Sequence, residues 1–130
     1  MSIFTKVING ELPSYKIAEN DTFYAFLDIF PLRAGHVLVV PKQEVDKIWD
    51  APADVLSQWL TFAQPIAKAI EKAFPECNRC GLSVVGIEVP HAHMHLIPIS
   101  SADDLNFTNP KIKLTEEEFK AIQAKIIAHL

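Results

Sequence analysis

The segment His91-Ala92-His93-Met94-His95-Leu96 alternates without a break between imidazole and apolar side chains. A period of two is the signature of a strand, because successive side chains point to opposite faces. The three imidazoles therefore share one face, spaced ~7 Å apart. Ala92, Met94 and Leu96 share the other and read as core, covered by helices. The chain must then build a sheet with one face under helices and the histidine face open. Packing gives no reason for three aligned imidazoles, since each carries ring nitrogens that need partners.

Spacing leaves three explanations open. Imidazole titrates near neutrality and suits nucleophilic and acid–base chemistry on a phosphate. Three histidines can also hold zinc. A surface strand can simply be rich in histidine. The wider composition narrows the setting. Twelve Lys+Arg against sixteen Asp+Glu give a net charge of −4, a poor match to a nucleic-acid binder, which carries a basic face. A locally positive pocket for a small anion remains compatible with that charge. No apolar run approaches the ~18 residues of a membrane span. The start, Met1-Ser2-Ile3-Phe4-Thr5-Lys6, lacks a signal peptide's charged head and long apolar stretch, so a cytoplasmic protein with no membrane partner is expected. Cys77 and Cys80 form a single Cys-x-x-Cys between a helix and a strand. Neither a second ligand pair nor the strand-to-helix setting of a redox motif accompanies them, and they read as ordinary thiols.

With 130 residues, no repeat and no linker, the chain reads as one domain. Ser2 caps a short helix over residues 3–9, with Gly10 past its end. Residues 15–18 and 22–28, split by Glu19-Asn20-Asp21, read as a hairpin. Residues 36–40 form a central strand ended by Pro41. A long helix follows Pro52, with Leu56, Leu60, Ala63, Ala67, Ile70 and Phe74 as its apolar stripe. Pro65 interrupts that pattern and predicts a kink near Thr61. Residues 81–86 and 91–99 give a fourth and a fifth strand. Thr115 and Glu118 form a capping box, with Leu114 and Phe119 as its staple. The last helix carries Phe119, Ile122, Ile126 and Leu130 on one stripe. These elements predict an α+β fold with a mainly antiparallel five-stranded sheet.

The segment His91-Ala92-His93-Met94-His95-Leu96-Ile97-Pro98 resembles the signature of the histidine triad (HIT) family. Ser2-Ile3-Phe4-Thr5-Lys6-Val7-Ile8 with Gly10-Glu11-Leu12-Pro13-Ser14 is similar to the family's opening. Phe26-Leu27-Asp28-Ile29, then Gly35-His36-Val37-Leu38-Val39-Val40-Pro41-Lys42, resembles its central block. The likeness is greatest to the Hint-like branch of nucleotide-binding hydrolases and runs over residues 3–98, with a C-terminal loop and helix over 99–130.

That resemblance implies a HIT-like fold and an enzyme, a nucleoside phosphoramidase or nucleotide hydrolase. It would cleave the substituent from the α-phosphate of purine nucleoside monophosphate derivatives through a nucleotidyl-histidine, with no cofactor or metal. His93 would be the nucleophile. His95 would protonate the leaving atom, and His91 and His36 would orient the phosphate and the nucleophile. Asp28 would bind the ribose. Ile3, Phe4, Val7, Phe26 and Ile29 would line the base pocket, and Gly86 and Val89 would border the phosphate. The resemblance also implies a homodimer with continuous sheets. Trp59 and Phe62, outside the expected stripe of the long helix, are expected at that interface. Two departures stand out. Ile87 occupies the place of a usual Gln, and no Asn precedes it on the fourth strand, where Ser83 is the polar residue. A nucleotide-binding module with little turnover is the alternative these departures raise, followed by a dinucleoside polyphosphate hydrolase or a three-histidine metalloprotein.

Overall fold

The structure, a computed structural model, describes residues 1–130. Five strands form one antiparallel sheet in the order β1-β2-β3-β5-β4. They are β1 (Lys16–Glu19), β2 (Phe23–Leu27), β3 (Val37–Pro41), β4 (Arg79–Val84) and β5 (Met94–Ile99). Three helices accompany them: α1 (Ile3–Ile8), α2 (Ala53–Ala73) and α3 (Glu116–Ile127). This is the expected α+β architecture. No helix is long and apolar enough to cross a membrane.

The central strands β2 and β3 are buried at every position, so both faces of the sheet are covered. Phe23, Ala25 and Leu27 of β2, Val37 and Val39 of β3, and Met94 and Leu96 of β5 face the main core. α2 and α3 close that side. The opposite face carries a smaller cluster of Val7, Tyr24, Phe26, Leu38 and Val40, covered by α1 through Phe4 and Ile8. The histidine face is therefore not open.

α2 is rotated by about one residue from its expected stripe. Its buried side is Val55, Trp59, Ala63, Ile66, Ala69, Ile70 and Ala73, whereas Leu60 is 60% exposed. Trp59 lies in the core against Phe23, and its indole N–H donates to the Val39 carbonyl at 3.3 Å. Phe62 stacks on Phe23. These contacts correct the expectation that Trp59 is a dimer contact. The cause is size: an indole fills the space over β2 and β3 that Leu60 would leave part-empty. α2 continues on both sides of Pro65.

Strand bounds also shift. β5 starts at Met94 because the preceding backbone pairs elsewhere: His91 N–H donates to Val89 and Ala92 N–H to Val45. β4 starts at Arg79, opposite Ile99. The capping box of α3 forms in both directions between Thr115 and Glu118. Leu130 lies past the helix end and is half-exposed.

Candidate active site

His36 stands at the entrance to β3, where Gly35 makes the turn possible. Gly35 has φ +95°, and a Cβ there would meet the Phe74 ring at 2.5 Å. The Leu32 N–H donates to His36 Nδ1 at 3.0 Å. That nitrogen must therefore hold a lone pair, and the ring proton sits on Nε2. His36 Nε2–H then donates to His95 Nδ1 at 2.9 Å. His95 in turn is left with its proton on Nε2. One backbone amide thus fixes the tautomers of two imidazoles, and His95 presents an N–H donor.

His93 is set the other way round. Its Nδ1 lies 2.8 Å from the His91 carbonyl oxygen. A carbonyl only accepts, so Nδ1 carries a proton, and in the neutral ring Nε2 keeps a free lone pair. The ring lies 4.9 Å from that of His95, edge to face. A ring with a lone-pair nitrogen therefore packs against a ring that presents an N–H donor.

His91 is spent on structure. Its Nε2 donates to the Pro41 carbonyl at 2.8 Å, and its Nδ1 accepts from the Ser2 hydroxyl at 2.6 Å. Ser2 Oγ also accepts the Thr5 N–H as the cap of α1. The Ser2 N–H and the Thr5 hydroxyl both donate to Glu44, holding its carboxyl down at about 2. This chain of bonds ties α1 to the triad.

All four imidazoles are buried, His91 completely. Burial is the main reason His36 is pushed down to about 3, with the charges of Lys111 and His93 adding to it. His95 is also pushed to about 3, first by burial and then by His36 and His93. Burial lowers His91 too, partly opposed by its bond to Pro41. At neutral pH these three rings are uncharged.

Asp28 follows β2. Its Oδ1 accepts the Phe30 N–H at 2.9 Å, and Oδ2 lies 3.5 Å from His36 Nε2. Asp28, His36 and His95 bring one ligand atom each within 4.8 Å of one another. A cation there would have to displace the proton His36 shares with His95. The converging set is thus not the triad itself, whose His91 has both nitrogens bonded within the protein.

Phe4 packs on Phe26, His91 and His93 with ring centres 5.6, 5.8 and 4.9 Å away. Phe26 and Val7 are buried beside it, whereas Ile3 and Ile29 are more than half exposed. Val89 accepts the His91 N–H at 2.8 Å. Gly86, at φ +69°, lines a groove of about 140 Å³ with Asp46, Lys47, Ile48 and Trp49. Ile87 is 87% exposed. Ser83 is the cross-strand partner of His95, which puts it on the histidine face.

Five residues about the site carry no signal of such a place in the sequence reading. Ser2 is legible as a helix cap but not as a partner of His91, and Thr5 and Glu44 join it only in three dimensions. Phe107 lies edge-on to His95 with ring centres 4.6 Å apart, and Lys111 sits over Phe107. Both belong to a loop with no periodicity.

The HIT domain family model matches residues 9–102. The adenosine 5′-monophosphoramidase HNT1 of Saccharomyces cerevisiae is 38% identical over 96 residues, covering 74% of this chain and 61% of that protein. Its namesake in Schizosaccharomyces pombe is 30% identical over 125 residues, covering 95% and 94%. Among solved structures, a Hit-like protein of Bartonella henselae superimposes with a TM-score of 0.84 at 32% identity, covering 99% of this chain and 96% of that one. With its fold, its three ordered motifs and its paired imidazoles, the chain belongs to the histidine triad (HIT) domain family.

Proposed function

We propose that residues 1–130 act as one HIT domain that hydrolyses the substituent from the α-phosphate of purine nucleoside monophosphate derivatives. The observation that carries this reading is the tautomer pattern: neutral His93 keeps its lone pair on Nε2, and its ring packs against that of His95, which presents an N–H. His93 attacks the phosphorus and forms a phosphorus–nitrogen bond, and the bond to the substituent breaks. His95 donates a hydrogen bond on the departing side. Water then cleaves the intermediate and releases the nucleoside monophosphate. His91 is a positioning residue, since its carbonyl aims His93. Phe4, Phe26 and Val7 form the apolar wall for the base, with Ile3 and Ile29 at its rim. Asp28 takes the ribose hydroxyls, and Val89 and Gly86 shape the approach to the phosphate. The names of the yeast relatives support an adenosine phosphoramidate as the first substrate to try.

The test is amine release from a fluorogenic adenosine phosphoramidate by metal-stripped protein, with intact-mass detection of the nucleotidyl adduct. His93→Ala should abolish the adduct and lower turnover by several orders of magnitude, because no nucleophile remains. Near-native turnover in that variant sinks the mechanism. A second reading, a binding module with little turnover, draws on the burial of His93 beneath Phe4 and on the exposed Ile87. Tight nucleotide binding without amine release would select it.

A further inference from the structure

After β5 the chain returns across the histidine face as a strap, residues 100–112. Two anchors hold it. Asp104 pairs with Arg33 at 2.9 Å and accepts the Ser100 and Ser101 N–H groups. Ile112 N–H donates to the Pro31 carbonyl at 2.9 Å. Between the anchors the strap carries Phe107 onto His95. It also carries Lys111, whose Nζ donates to the Phe107 carbonyl at 2.8 Å and lies 5.6 Å from the Phe107 ring centre. No carboxylate pairs with Lys111.

An ammonium without a carboxylate partner, held over a ring that packs on His95, attracts an anion. We propose that Phe107 and Lys111 form a leaving-group subsite that selects nucleotides whose α-phosphate bears an anionic substituent, a phosphate or a carboxylate, over those bearing an amine. The inference rests on the hydrolase reading above and names its substrate class. Phe107 lies edge-on to His95 with ring centres 4.6 Å apart, so a substituent held beside His95 has the strap as its neighbour. Lys111 is also among the charges that depress both His36 and His95, which agrees with its place at the site.

The chemistry favours the same class. His93 Nε2 attacks the α-phosphorus, the new phosphorus–nitrogen bond forms, and the bond to the bridging oxygen breaks with its electron pair staying on that oxygen. The leaving group departs as an anion toward Lys111 and takes no proton from the protein. Water then breaks the phosphorus–nitrogen bond, and its proton passes to solvent. An amine leaving group needs a proton on nitrogen, and an uncharged imidazole N–H is a weak acid.

The experiment compares dissociation constants of ADP and an uncharged-amine AMP amidate in a His93→Ala background, with Lys111 intact, changed to Met, and changed to Glu. The same three forms of the His93 protein are assayed for AMP release from both compounds. Removing the charge should cut the preference for ADP about tenfold, the worth of a hydrogen bond to a charged group, and Lys111→Glu should lower it further. High salt should shrink the preference of the intact strap. Binding of the two compounds, and AMP release from them, with a preference that ignores residue 111 overturns the inference and leaves the hydrolase reading standing. No binding of either compound overturns both.

Discussion

Leu32, Pro41 and His91 act on the site through their backbone groups. An amide sets His36 and, through it, His95, while two carbonyls set His91 and His93. Neutral imidazoles are thus built into the fold, and this predicts a pH dependence. His36 and His95 are held near 3 against an ordinary 6.5. Between those values the unfolded chain takes up protons that the folded protein refuses. Stability should therefore fall as pH drops below 6.5, by up to about 1.4 kcal/mol per pH unit for each histidine. Above 6.5 both states are neutral and this contribution vanishes. Thermal melts from pH 7.5 to 4.5 measure it, and a flat Tm across that range contradicts it. Asp28 gives a second prediction at this scale. Asp28→Ala should weaken nucleotide binding by roughly 1.5–3 kcal/mol. It should also cost about 1 kcal/mol of stability, because Phe30 loses its acceptor. Calorimetry with a 2′,3′-dideoxy ligand separates the effects: wild type and variant should bind it about equally.

At the level of elements, α2 shows how a helix chooses its buried side. Leu56 and Leu60 set a stripe in the sequence, yet Val55, Trp59 and Ile66 fill the core. Trp59 wins because it covers more of the sheet than Leu60 and finds an acceptor in Val39. Trp59→Ala should then cost about 3–5 kcal/mol in denaturant unfolding, the range for a buried aromatic truncated to a methyl. A loss under 1 kcal/mol would put Trp59 outside the core. Trp59→Arg tests the fold and not assembly, since it buries a charge beneath α2.

The whole molecule leaves β4 as an outer strand, and an outer strand needs a cover. Leu82 of β4 pairs with Leu96, so it lies on the α2 side of the sheet. It is 46% exposed, and Leu60 of α2 is exposed as well. A homodimer that joins two β4 edges and buries Leu60 and Leu82 is the expected assembly. Light scattering at micromolar concentration should give about twice the 14.5 kDa chain mass. Leu60→Glu should shift it toward monomer while the far-ultraviolet spectrum is kept. A stable wild-type species near 14.5 kDa excludes this assembly.

The local code was enough for what depends on neighbours in the chain. Alternation placed Ala92, Met94 and Leu96 in the core, and Ser2 and Thr115 began their helices where expected. Those features are set within one turn or one pleat. Other features needed the folded chain, because they rest on groups far apart in sequence. Ser2 meets His91 across 89 positions, His36 meets His95 across 59, and Phe107 returns over β5 through a loop with no period. The residue types told which nitrogens were available. Only the tertiary structure decided which of them carry protons, because that follows from amides and carbonyls whose positions no side-chain pattern encodes.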